Sequence, residues 1–524
     1  MSSVAQNYSS AFSLLDETRF RQLIGFLLLK VLILLAFIAY SGIHLAPDEA
    51  QYWTWSKALD WGYYSKPPGI AWQIWLTTSL FGSTEIGIRV GALIMGFALP
   101  IIVYLTGKSC ALSQNSCFYA SLAMAFSLIG ISSSFYAITD GGLALFWSIS
   151  CFYICQSLKQ KNTPNPFFIG SSIFLGALFK WPIYFLWLII FPLSYLKGWK
   201  VKEILCGFFI SILALLPSLY WNYHHQWVTF RHVFFTIVEP SATVGAKPNF
   251  TDFIGAQVGL LSPIFALIFA FSLLYFFKNI TTKSFSKTII PEEILFLFAA
   301  SGIPFCSYIF LSLFKKMQGN WCSFIYPQVF VIITWFALEK RDWKKIFHVG
   351  LIICAISSAT ILTTPFWPSL IATELPYKLN LFKHQLGWEN LAYLLQKYDT
   401  KNRFLFTDKY QTASLLSFYN PQKKQSYFFN LQKIRLNQFS FWSSMQENET
   451  GKDGFFISIE NEIDKQKIDQ KAYYYQQILN SYFSNVQLLE ITPILQSNGL
   501  SVKYIILLDC RKYNGKVPEK TFLY

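Results

Sequence analysis

Two adjacent carboxylates, Asp48 and Glu49, follow directly on the first long apolar run, in His44-Leu45-Ala46-Pro47-Asp48-Glu49-Ala50-Gln51-Tyr52-Trp53. A little further on comes Tyr63-Tyr64-Ser65-Lys66-Pro67-Pro68-Gly69. A positioned, ionised carboxylate can take the proton from an incoming nucleophile, or it can hold a cation. A lysine is a compact point charge suited to phosphate. Pro-Pro restricts the backbone beside it and lowers the ordering cost of holding it there. Together these residue types suit chemistry on a charged group at a membrane surface. Plainer roles stay open for the same residues. Pro-Asp-Glu fits the first turn of a helix, where acids cap and favour the dipole, and Lys66 could snorkel at the membrane edge.

A second acid, Asp140, follows Thr139 and precedes Gly141-Gly142 at the mouth of another apolar run. A carboxylate entering such a run is expensive unless partnered. It either caps that helix or faces Asp48 as a second site acid. Two carboxylates from separate loops can share a divalent cation or flank a reacting centre. His224, His225, Arg231 and His232 supply groups for binding phosphate or orienting a sugar, or they are surface residues. Lys180 ends a short apolar segment and either snorkels or faces a cavity. Lys316, in the stretch running to Asn320 and Trp321, is an anion contact or an anchor.

The elements that must position these groups are membrane helices. The chain has 524 residues, 53% hydrophobic, 19% aromatic and 14% charged, with a mean hydropathy of +0.36. Those fractions belong to a polytopic membrane protein. Eleven stretches approach the ~20 apolar residues that a span needs: 23–40, 86–107, 116–133, 141–157, 166–180, 182–196, 203–220, 254–277, 292–314, 321–338 and 346–363. Basic residues gather in alternate loops, as in Lys197, Lys200 and Lys202 and again in Lys340, Arg341, Lys344 and Lys345. By the positive-inside bias those loops and the N-terminus are cytoplasmic. The loops carrying Asp48, Lys66, Asp140, His224 and Lys316 then share the opposite side, and an odd span count puts the C-terminus there too. The formal charge of +15 is spread in this way rather than clustered on one soluble face, so nucleic acid is not an expected partner. The nine cysteines form no CxxC pair and read as packing residues. The first residues lack a cleavable signal pattern, so the first span reads as a retained anchor.

Loop 41–85 is too long for a turn and rich in Trp and Tyr, and is expected to form short helices along the membrane. The transmembrane part runs over 1–365 and a soluble α/β domain over 366–524. In the latter, Phe404–Phe406, Phe455–Ile457 and Tyr504–Leu508 have strand length, and Lys409–Tyr419 and Ile468–Tyr482 read as helices. That domain is large enough for its own core. There is no fixed-period repeat, phosphate loop or zinc spacing.

Pro47-Asp48-Glu49 with Tyr52-Trp53, then Lys66-Pro67-Pro68-Gly69 and Trp72, resemble the first-loop signature of bacterial protein-mannosyltransferase-like glycosyltransferases, membrane enzymes of the GT-C type. Thr139-Asp140-Gly141-Gly142 through Trp147 is similar to the family's second-loop acid. Trp221-Asn222-Tyr223-His224-His225-Gln226-Trp227 through Arg231 resembles its third-loop block. Gln318-Gly319-Asn320-Trp321 with Tyr326-Pro327 resembles its Pro-Asn-Trp-Pro element, without the usual prolines around Asn-Trp. Lys180-Trp181-Pro182 follows the family pattern loosely. Gly387-Trp388, Asp408-Lys409-Tyr410-Gln411 and Arg435 to Trp442 are similar too, so the likeness runs along most of the chain in the family's order.

The resemblance implies a polytopic α-helical membrane protein with a C-terminal α/β extracytoplasmic domain, in the bacterial inner membrane. It implies an inverting glycosyltransferase that moves a sugar from a polyprenyl-phosphate donor to an envelope acceptor on the periplasmic side. Lipid A or lipopolysaccharide core is the favoured acceptor, and a protein acceptor, as in the protein O-mannosyltransferases, is the alternative. By the same likeness Asp48 is the general base and Asp140 a second site acid. Lys66, Tyr63, Tyr64, His224, His225 and Arg231 line the donor phosphate site. Glu49, Lys316 and Asn320 support it, and a divalent cation on Asp48 and Asp140 is the one cofactor suggested. A lipid-sugar flippase would instead show paired repeats and a midplane site, whereas here the polar groups collect in loops. A membrane-anchored binding protein would account for the C-terminal domain but not for the loop acids.

Overall fold

Each of the eleven apolar stretches is helical in the computed structural model, which describes residues 17–238, 248–281, 290–398, 400 and 402–519. Seven are long and apolar enough to cross a bilayer: Thr18–Tyr40, Glu85–Ser109, Thr139–Gln160, Val201–His224, Glu292–Ser312, Gly319–Lys340 and Lys344–Ile371. The chain is a multi-pass membrane protein. The uniform picture of eleven spans needs correcting at four of them. Gln114–Phe126 and Leu128–Phe135 meet at 62°, and Phe250–Leu261 and Pro263–Asn279 at 106°. The first break falls at Ser127, whose hydroxyl accepts from Gly130 N at 3.1 Å and so starts a new helix. The second falls at Ser262, at φ +78°, before Pro263, which cannot donate and excludes α geometry from the residue before it. Pro166–Ala177 and Trp181–Lys197 are short. A 12-residue helix such as Pro166–Ala177 is about 18 Å long, against a hydrocarbon core of ~30 Å. Counting that pair in or out leaves the two ends of the bundle on the same sides. The last apolar helix continues to Ile371, past the boundary at 365.

Burial orders the bundle. Thr18–Tyr40 turns Leu28, Leu29, Leu32 and Ile33 outward, while Val329 to Ile333 of Gly319–Lys340 are sealed at its centre. Loop 41–85 folds as two helices, Pro47–Lys57 and Gly69–Phe81. Most of its aromatic residues do not reach outward: Tyr52, Trp53, Trp55, Tyr63 and Tyr64 are buried, and only Trp61 and Trp75 of the group are exposed. The reason is that the C-terminal domain covers them.

That domain holds a five-stranded sheet in the order β2-β1-β3-β5-β4, with β1 Phe404–Thr407, β2 Tyr427–Phe428, β3 Gly454–Glu460, β4 Phe483–Ser497 and β5 Leu500–Tyr513. β1 lies parallel to β2 and β3, and β5 lies antiparallel to β3 and β4. β2 and β4 went unread in the sequence because one is two residues long and the other is an edge strand carrying Ser484, Asn485, Gln487 and Glu490. One sheet face packs on the helix Lys465–Leu479 through Phe406, Phe456, Ile506 and Leu508. The other shares a core with loop 41–85, in which Trp53, Ile70 and Ile74 join Leu415, Phe418, Ile457 and Leu507. The domain therefore has one core of its own and one in common with the membrane part. The stretch 239–247 of the third loop lies outside the described residues.

Candidate active site

Asp48 sits in the first turn of the Pro47–Lys57 helix, but it does not cap it. That role falls to Glu49, whose Oε2 accepts from Ala46 N at 2.9 Å. Freed from capping, the Asp48 carboxylate has no hydrogen-bond or ion-pair partner among the described residues and is open to solvent, although protein surrounds it. It therefore faces a cavity. That enclosure raises its pKa, against the pull of Lys66 and with the added repulsion of Asp140.

Asp140 opens the Thr139–Gln160 helix and is nearly buried. Its Oδ1 accepts from Lys180 Nζ at 2.7 Å and its Oδ2 from Asn320 Nδ2 at 3.2 Å. Lys180 thus faces the cavity. Its contact also shows that the short Pro166–Ala177 helix, with its extended exit, returns the chain to the level of Asp140. Tyr52 joins the two acids, its hydroxyl hydrogen-bonded to Thr139. Lys66 closes a tight turn in which its carbonyl accepts from Tyr63 N at 3.1 Å. Burial brings the Lys66 ammonium down to about 8, with repulsion from Lys180 and Arg435 adding to it and Asp140 and Asp48 opposing.

What holds Asp48 and Asp140 at a fixed separation is the residue between the loops. Glu49 is fully buried, and so is Arg89, one turn into the Glu85–Ser109 span. Arg89 Nε and Nη2 meet the Glu49 carboxylate at 3.1 and 2.9 Å, and Ala137 N donates to the same carboxylate at 3.0 Å. Arg89 also donates from Nη1 and Nη2 to the carbonyls of Ile43 and His44. One fork therefore ties the Asp48 helix to the strip of chain just before Asp140. Arg89 was missed in the sequence; its signal was a lone charge inside an apolar run.

Other expected site residues are placed elsewhere. The Tyr63 hydroxyl donates to the carbonyls of Trp55 and Ala58 and accepts from Asp60 N, and its ring stacks on Trp55 with centroids 4.6 Å apart. It braces the loop rather than lining the cavity. His225 stacks on Trp221 at 3.9 Å and bonds its carbonyl, while Trp221 Nε1 donates to Asp60 at 2.8 Å. His224 is exposed and packs on Tyr220 and Tyr223; Arg231 and Lys316 are exposed as well. None of these four bonds to an acid of the site. For His224, His225 and Arg231 the reason is that, on the helices of the third loop, side chains one position apart point to different faces. It is His232 that turns inward, with its ring 4.9 Å from that of Tyr64.

We propose that the site works without a divalent cation. Both Asp140 oxygens are engaged by nitrogen donors, one of them a lysine ammonium, and among the described residues no group of three or more His, Cys, Asp and Glu is placed to hold a metal. Two carboxylates with ammonium groups alongside are instead arranged to work on a substrate that brings its own negative charge.

The chain is similar in fold, and in sequence as well, to membrane glycosyltransferases of the GT-C type. Residues 65–221 match the family described as dolichyl-phosphate-mannose-protein mannosyltransferase. The lipid A galacturonosyltransferase RgtD of Rhizobium johnstonii is 26% identical over 374 residues, 70% of this chain and 74% of that protein. The undecaprenyl phosphate-alpha-4-amino-4-deoxy-L-arabinose arabinosyl transferase 2 of Proteus mirabilis is 25% identical over 156 residues, 26% of this chain and 28% of that one. The crystal structure of ArnT from Cupriavidus metallidurans bound to undecaprenyl phosphate shares the fold with a TM-score of 0.58 at 12% identity, covering 92% of this chain and 98% of the other.

Proposed function

We propose that the protein is an inverting glycosyltransferase that takes a sugar from a polyprenyl phosphate and places it on an envelope glycolipid, with lipid A or lipopolysaccharide core favoured. The observation that carries this reading is the unpartnered Asp48 carboxylate facing the same cavity as Lys66. Asp48 takes the proton of the acceptor hydroxyl as that oxygen attacks the anomeric carbon from the face opposite the phosphate. The bond to the phosphate oxygen breaks, its electron pair leaves with the phosphate, and Lys66 stabilises the charge that accumulates there. The sugar passes through an oxocarbenium-like state, as in glycoside hydrolysis. Because the leaving group is already anionic, no strong acid is needed. Lys180, held on Asp140, adds positive charge beside the departing phosphate. The names of the two sequence relatives support a lipid A acceptor and a polyprenyl-phosphate donor. The charge distribution between loops supports a periplasmic site in a bacterial inner membrane.

The test is mass spectrometry of envelope lipids and glycoproteins from cells with and without the chain. Loss of one sugar from lipid A or core is the expected result; loss from a protein instead would move the acceptor to that class, and no difference would remove the assignment. Because the donor set does not suit a metal, transfer by the purified protein should persist after exhaustive chelation; recovery only on adding a divalent cation would contradict this site.

A further inference from the structure

Outside the acid pair, one charged group reaches toward the cavity from the C-terminal domain. Arg435 follows β2, and its Nη1 approaches the two ring nitrogens of His232 at 3.0 and 3.3 Å. A ring nitrogen can accept from a guanidinium only when it carries no proton. His232 is kept neutral, which leaves one of its two ring nitrogens free to accept: burial, then Arg435 and Lys66, bring its pKa down to about 3. Arg435 has no carboxylate within ion-pair distance among the described residues, and its charge is felt at Lys66. The approach is held by structure. Gln438 Oε1, three residues on, accepts from Tyr64 N at 2.7 Å, and the Tyr64 ring lies between those of His232 and Phe441, at 4.9 and 6.0 Å. Arg435 and Lys66 thus both act on one neutral imidazole; Asp48 and Asp140 offset the charge of Lys66, but no carboxylate pairs with Arg435 among the described residues, and an anion would complete the arrangement.

We infer that Arg435 and Lys66 together grip one phosphate group, the leaving phosphate of the donor, so that the C-terminal domain supplies part of the donor site. The inference rests on the glycosyltransferase reading. In the donor the phosphate is a diester with one negative charge. When its bond to the anomeric carbon breaks, the bonding pair stays on the phosphate oxygen, which gains the second charge of a monoester, while the acceptor oxygen bonds the sugar and its proton passes to Asp48. One cation balances the diester and two balance the monoester. Arg435 therefore favours the departing phosphate over the bound donor, the difference that speeds a chemical step. His232, as acceptor, holds the guanidinium in place as a positioning residue.

The experiment measures binding of undecaprenyl phosphate and of neutral undecaprenol to the full chain in detergent, alongside kcat. Arg435→Gln is expected to weaken undecaprenyl phosphate by about 10- to 100-fold and to lower kcat by a similar factor, leaving undecaprenol unchanged. Arg435→Lys, which keeps the charge, is expected to recover most of the loss and serves if Arg435→Gln does not fold. If Lys66→Ala weakens undecaprenyl phosphate and neither Arg435 variant does, the inference is overturned while the donor reading stands. If neither position matters, or if the wild type does not prefer the phosphorylated lipid, both fall.

Discussion

Asp48 and Lys66 do opposite things with protons, and enclosure acts on both. Burial makes the carboxylate harder to ionise and the ammonium easier to discharge. The proposed base works only when ionised, so the acid limb of the pH–rate profile should lie above the ordinary aspartate range of about 4. The proposed phosphate contact works only when charged, so the alkaline limb should fall near the Lys66 value of about 8. Lys66→Arg keeps its charge across this range. That variant should shift the alkaline limb upward, read as kcat/KM for the donor; a limb that stays in place would assign it to another group. Asp48→Asn should reduce transfer by about 10²- to 10⁴-fold while the protein still inserts and melts as the wild type does. Near-normal turnover in that variant would take the base role from Asp48.

At the scale of elements, the site depends on a contact that touches no substrate. The Glu49–Arg89 fork fixes the Pro47–Lys57 helix against the start of Thr139–Gln160, and both members are fully buried. Removing one partner leaves the other charged and unpaired in a dry place. Arg89→Ala should therefore cost about 3–5 kcal/mol, seen as a large drop in melting temperature in detergent. The double variant Glu49→Leu, Arg89→Leu should recover part of that stability yet not the transfer rate, because the register between the two acids is lost. Full activity in the double variant would show that the fork only stabilises. The short Pro166–Ala177 helix plays a comparable part, since its exit delivers Lys180 to Asp140.

At the scale of the molecule, the C-terminal domain is joined to the membrane part by a charged clamp. His44 reaches Glu85 through Nδ1 at 2.9 Å and Glu389 through Nε2, while Tyr419 donates to Glu85 and accepts from Leu45 N at 2.7 Å. Burial disfavours the charged ring, but the two carboxylates outweigh it and raise His44 to about 9. A histidine whose folded value exceeds its unfolded 6.5 contributes stability that is fully present below pH 6.5 and is lost as pH rises through 9. The contribution is about 2 kcal/mol, less than the full shift would give because Glu389 is exposed. Limited proteolysis around residues 372–387 should accelerate between pH 7 and 9.5, and His44→Asn should flatten that dependence. A protease sensitivity that does not change with pH would remove the clamp as the joint.

Read by itself, the chain of 524 residues settled its membrane class, because eleven apolar runs and the placement of lysines are local patterns that need no neighbour to interpret. Asp48, Lys66 and Asp140 were legible for a similar reason: charged residues at the mouths of apolar runs are conspicuous. The strands β1, β3 and β5 were legible as apolar runs, and β2 and β4 were not, since pairing rather than composition makes them strands. Tertiary structure alone decided which acid is free. Asp48 and Glu49 are neighbours in sequence with the same chemistry, and only the position of Arg89, 40 residues on, occupies one carboxylate and leaves the other open to the cavity. It alone turned His232 rather than His224 inward, and it alone brought Arg435 beside His232. The physical reason is the same in each case. The role of a charge depends on what lies within a few ångströms, and those neighbours come from distant parts of the chain.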